Sequence, residues 1–157
     1  MNSTVYLETS IIGYLASRPS RDLITAANQQ LTRDWWDEHR EQYDLYVSET
    51  VVAECSAGDP QAAQERLDAI GDIPMLDVTK DAENLADELV KQVPLPEHAE
   101  VDALHIAIAT VNGINYLLTW NCAHIANAAM QPQIEAVCRS AGIEPTTICT
   151  PQQLMEG

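Results

Sequence analysis

The feature that most limits the fold is a regular alternation of two periodicities. Residues 4–7, 44–47, 75–78, 116–118 and 146–148 are short β-prone runs, and each is joined to the next by a longer stretch of helical pattern. Ser10 is placed to cap a short helix over residues 11–16. From Asp22 to about Gln42, Leu23, Ala27, Leu31 and Trp35 recur every fourth residue, and Ile24 and Trp36 widen the stripe. Ser48 leads into a helix through Glu54. Asp59-Pro60 offers a cap and first-turn proline for a helix ending near Gly71, and Thr79 with Glu83 opens one that stops at Pro94-Leu95-Pro96. The next helix starts at Pro96, has Glu97 and Glu100 near its positive end, and stops at Asn112-Gly113. Residues 132–139 form the last, closed by Gly142, and a polar tail follows the final strand. This order predicts an α/β fold: a mostly parallel sheet of about four to five strands, with helices on both faces. A single domain over residues 1–157 is expected.

Composition removes several functions. With 46% hydrophobic residues the chain can bury a core without a metal or disulfide staple. The cysteines Cys55, Cys122, Cys138 and Cys149 contain no Cys-x-x-Cys pair, so they read as reduced thiols and not as a zinc ribbon. No apolar run approaches the roughly 18 residues that a membrane helix needs. The start of the chain lacks a signal-peptide pattern, and a cytoplasmic location is expected. A net charge of −16 argues against a duplex-DNA binder with a broad basic face. Arg18, Arg21, Arg33 and Arg40 share one stretch, readable as a solvated helix face or as a small cationic rim. Trp35 and Trp36 read as core or dimer contact, because Asp34, Asp37 and Glu38 beside them would repel RNA. No glycine-rich nucleotide-binding motif occurs.

In a parallel α/β sheet, ligands bind at the carboxyl ends of the strands. Glu8-Thr9-Ser10 follows the first expected strand, and Glu54 lies shortly beyond the second. Glu49 and Glu54 differ by about 140° of helical rotation, so only one of them faces a shared site; Glu54 is chosen. Asp102 stands early in an apolar helix, where a carboxylate is either dipole-favoured in the first turn or paired with a cation. Thr119-Trp120-Asn121 follows the fourth strand and offers an amide oxygen. Hard oxygen donors from separate segments suit Mg2+ or Mn2+ better than zinc. His105 reads as a hydrogen-bonded core residue, and Cys122-Ala123-His124 as a loop fragment lacking further metal ligands.

At these residues the chain resembles the PIN-domain family, in particular its VapC-like toxin branch. The family's opening Asp-Thr-Ser is similar to Glu8-Thr9-Ser10, and its second acid to Glu54 after Ser48. Its Asp-Ala-x-Ile-Ala helix resembles the segment from Asp102 and Ala103 to Ile106 and Ala107, and its Thr-x-Asp turn resembles Thr119-Trp120-Asn121. The resemblance implies a three-layer α/β/α sandwich and a ribonuclease in which Glu8, Glu54, Asp102 and Asn121 hold Mg2+ or Mn2+ to hydrolyse RNA. It also implies an antitoxin partner and a homodimer. Glu8 replaces Asp and adds a methylene, whereas Asn121 replaces Asp and loses a charge. These departures define the alternative, a catalytically impaired PIN domain acting as an RNA- or protein-binding module.

Overall fold

A computed structural model describes residues 2–95 and 99–156. Five strands form one parallel sheet in the order β3-β2-β1-β4-β5. They are β1 (Ser3–Leu7), β2 (Tyr43–Ser48), β3 (Met75–Leu76), β4 (Tyr116–Leu118) and β5 (Thr147–Cys149). Val5 lies opposite Leu45 on one side and Tyr116 on the other. Val5, Tyr6 and Leu7 are each 0% exposed, as expected of a central strand covered on both faces.

The helices are α1 (Thr9–Ala16), α2 (Leu23–Glu38), α3 (Glu49–Cys55), α4 (Pro60–Ile70), α5 (Lys80–Gln92), α6 (Glu100–Val111), α7 (Gln131–Ser140) and α8 (Pro151–Glu156). Strand order decides their placement. The steps from β1 to β2 and β2 to β3 run one way across the sheet, whereas those from β3 to β4 and β4 to β5 run the other way. Right-handed crossovers therefore put α1 to α4 on one face and α5 to α7 on the opposite one. The packing agrees: α1 touches α2, α3 and α4, and α5 touches α6 and α7. The direction of winding reverses beside β1, the position where α/β sheets open a ligand crevice.

Several helix starts obey simple capping chemistry. Ser48, Asp59 and Thr79 accept hydrogen bonds from the backbone N–H three residues on, and Gly71 ends α4 with φ 54°. Other expectations are corrected. The cap of α1 is Glu8, whose side chain accepts from Ser10 N, so Ser10 lies inside the helix. The long helix ends at Glu38, and a short 3-10 turn over Arg40–Gln42 follows. β3 is only two residues long. The polar tail is helical, because Thr150 Oγ1 accepts from Gln153 N while Gln153 Oε1 accepts from Thr150 N, a reciprocal capping box. The expected helix start at Pro96 and Glu97 lies outside the described residues.

The stripe along α2 also differs from expectation. Leu23 and Ile24 are 85% and 74% exposed, and the buried positions are Gln29, Thr32 and Trp35. Gln29 turns this face inward by donating to Ser17 Oγ and Arg18 O and accepting from Ser20 N, which satisfies the loop before the helix. Trp35 joins the core, and Trp36 carries Arg40 over its ring. Among the described residues, no helix is long and apolar enough to cross a membrane.

Candidate metal centre

Glu8 sits at the reversal point, where Glu8 N continues the β1 ladder by donating to Leu118 O at 3.1 Å. Glu8 is only 6% exposed. Oε1 accepts from Ser10 N at 3.1 Å, from Ser10 Oγ at 2.5 Å and from Thr119 Oγ1 at 2.7 Å. These donors come from α1 and from the segment after β4, so the methylene that distinguishes Glu from Asp is absorbed by folding the side chain back onto its own helix. Ser10 Oγ also accepts from Trp120 N, tying both segments together.

Glu54, on the face of α3 turned to this point, accepts on Oε1 from Thr9 Oγ1 at 2.5 Å and pairs with His105 Nε2 at 2.7 Å. Burial pushes its carboxyl up, but donation from His105 and Thr9 outweighs burial and holds it below the ordinary carboxylate range. Glu49, the other acid considered for this site, is exposed like Glu54 but joins no such group among the described residues. Glu8, Glu54 and His105 each bring one ligand-type atom within 4.8 Å of the others. On both glutamates the hydrogen bonds fall on Oε1, and neither Oε2 accepts one from the described residues. Two carboxylates at such spacing repel by about 3 kcal/mol at an effective dielectric near 20, and a divalent cation shared by both removes that repulsion. The paired carboxylates therefore fit a divalent cation.

Asp102 and Asn121 form a neighbouring pair. Asp102 Oδ1 accepts from Asn121 Nδ2 at 3.3 Å, and Oδ2 is 2.9 Å from His124 Nδ1. Asn121 Oδ1 accepts from His124 N at 3.1 Å. Exchanging the amide's oxygen and nitrogen would aim a lone pair at the Asp102 carboxylate and an N–H at the His124 N–H, so this orientation is fixed by chemistry. An amide N–H thus faces Asp102 where an acidic residue would face it with a second negative charge. The structure brings Glu8 and Glu54 together, whereas Asp102 lies outside that group and is tied to Glu8 through Asn121 and Thr119, whose Oγ1 accepts from Asn121 N and donates to Glu8. Sequence reasoning missed His124 as the partner of Asp102. The available signal was its position three residues after Asn121, inside a side-chain-capped turn.

Two of the four thiols border the site in sequence, Cys55 after Glu54 and the exposed Cys122 after Asn121. Cys55, Cys138 and Cys149 are buried free thiols, and burial pushes Cys55 and Cys149 up to about 11, which leaves them inert.

No family model matches this sequence, and no curated protein sequence matches it. Solved structures do. Mycobacterium tuberculosis VapC20, a sarcin-ricin loop cleaving toxin, is 19% identical with TM-score 0.61, over 80% of this chain and 95% of that one. A chain of VapBC2 from Rickettsia felis, solved bound to a DNA fragment from their promoter, is 14% identical with TM-score 0.59, over 94% of this chain and 98% of that one. The fold is accordingly that of a PIN domain, and its architecture is VapC-like.

Proposed function

We propose that the protein is a divalent-metal-dependent ribonuclease, the toxin of a type II toxin and antitoxin pair, acting in the cytoplasm. The observation that carries this reading is the Glu8 and Glu54 pair at the winding reversal, each with one oxygen held by hydrogen bonds and one free. Similarity to a sarcin-ricin loop cleaving toxin supports RNA as the substrate class, and similarity to VapBC2 supports an antitoxin partner. The exposed Leu23 and Ile24 at the start of α2 supply an apolar patch that suits a homodimer or antitoxin contact.

Glu8, Glu54 and Asp102 would hold Mg2+ or Mn2+, with Asn121 keeping Asp102 in place or sharing the ion through water. The bound ion would polarise a phosphoryl oxygen and supply an activated water. Thr9, Ser10 and Thr119 orient the two glutamates, which is the work of groups behind metal ligands elsewhere. Induced expression in a bacterial host tests this reading. It predicts growth arrest with RNA fragmentation, both absent for Glu8→Gln; arrest that persists in that variant would contradict it.

A second reading has its own observation. Both oxygens of Asp102 are already engaged, by Asn121 and His124, which favours a PIN domain retained for binding RNA or protein without turnover. RNA capture without cleavage would select it.

A further inference from the structure

Behind Glu54 runs a file of polar groups closed off from solvent. Ser48 and His105 are 0% exposed, as is Tyr6. Successive atoms lie 2.7 Å apart: Ser48 Oγ to Tyr6 OH, Tyr6 OH to His105 Nδ1, and His105 Nε2 to Glu54 Oε1. The ends of the file decide its direction. An ionised Glu54 can only accept, so Nε2 carries a proton. Ser48 Oγ already accepts from Val51 N at 3.2 Å as the cap of α3, and its own hydrogen has Tyr6 as its partner among the described residues. The Tyr6 oxygen therefore accepts from Ser48 and gives its hydrogen to a bare Nδ1. A doubly protonated ring would turn Tyr6 toward Ser48 and leave the Ser48 hydrogen buried without an acceptor.

We infer that His105 is a positioning residue and not a cation ligand: the Ser48 and Tyr6 hydroxyls lock it as the neutral ring protonated on Nε2, which pins Glu54 by Oε1 and leaves Oε2 free. Its closeness to Glu8 and Glu54 follows from that hydrogen bond, since neither ring nitrogen has a lone pair to offer an ion. The inference rests on the proposed site only in taking Glu54 as a working carboxylate. The file also explains why a histidine occurs on an otherwise apolar, buried face of α6, and why the helix α3 that carries Glu54 starts at a residue joined to the central strand.

Long-range 1H-15N correlation of the histidine side chains in the metal-free full chain reads the tautomer directly. The expected result is His105 protonated on Nε2 alone; a ring protonated on Nδ1, or on both nitrogens, overturns the inference. Pulsed EPR of the Mn2+-loaded protein with 15N-histidine is expected to show no directly bound nitrogen. Such a coupling in the wild type, lost in His105→Gln, would equally overturn it. Glutamine keeps an N–H toward Glu54, so Mn2+ affinity in His105→Gln should stay within about threefold, whereas His105→Leu should lose about 10- to 100-fold. Equal losses in the two variants would contradict a positioning role. If no divalent ion binds at all, the proposed function fails, and the metal-free tautomer still decides the assignment of His105.

Discussion

At the scale of single residues, the site turns on where protons sit. Asn121 presents an N–H to Asp102, so Asn121→Asp would replace a hydrogen bond by like-charge repulsion. The expected outcome is a loss of about 1–2 kcal/mol in EDTA. Restored charge should also tighten Mn2+ binding by about tenfold. Thermal melts with and without Mn2+ check both signs. Glu54 gives a pH dependence. Its carboxyl is held below the ordinary value of 4.5 by His105 and Thr9 against the upward push of burial. The folded state then binds fewer protons than the unfolded chain, so the group contributes stability above pH 4.5, and that contribution is lost as pH falls through the depressed value. Urea midpoints of the wild type and Glu54→Gln, measured without divalent ions, should converge below that pH. A gap that stays constant on acidification would refute the assignment.

Elements were legible to different degrees, for physical reasons. The strand over residues 116–118, the cap at Asp59 and the helix starts at Ser48 and Thr79 coincide with the sequence reading, because cap chemistry is local. The α2 stripe did not translate: its first turn faces solvent, since the long-range hydrogen bonds of Gln29 fix the rotation of the helix and periodicity alone cannot see them. α8 is not legible in the sequence although Thr150 and Gln153 form a capping box; six residues are too few for a periodic pattern to declare itself. At the site, carboxylates at strand ends were readable, but the His124 partner of Asp102 and the Tyr6 file behind His105 depend on side chains about 20 to 100 positions apart meeting in space. Two element-scale outcomes follow. Thr150→Ala should cost about 1 kcal/mol by uncapping α8, and Gln29→Leu should cost about 2 kcal/mol by stranding the polar groups of the preceding loop. Both are read from denaturant midpoints.

Across the whole molecule, a charge of −16 surrounds a site proposed to act on a polyanion. Long-range repulsion then slows encounter with RNA, and added salt screens it within a Debye length of about 10 Å at 0.1 M. Association with RNA should therefore speed up, or stay level, as NaCl rises from low concentration. A steep fall in stopped-flow rates, of the kind basic nucleic-acid binders show, would contradict an acidic surface that reaches RNA only locally. The central claim is metal-dependent cleavage by the carboxylates at the winding reversal. Its most direct measurement is turnover of a mixed tRNA and rRNA substrate by purified protein in Mg2+, Mn2+ or EDTA, beside Asp102→Asn and Glu8→Gln. The account predicts cutting with either ion, none in EDTA, and losses of about 100-fold or more in both variants. Cutting that survives EDTA or either substitution, or intact RNA under every condition with a folded protein, would contradict it.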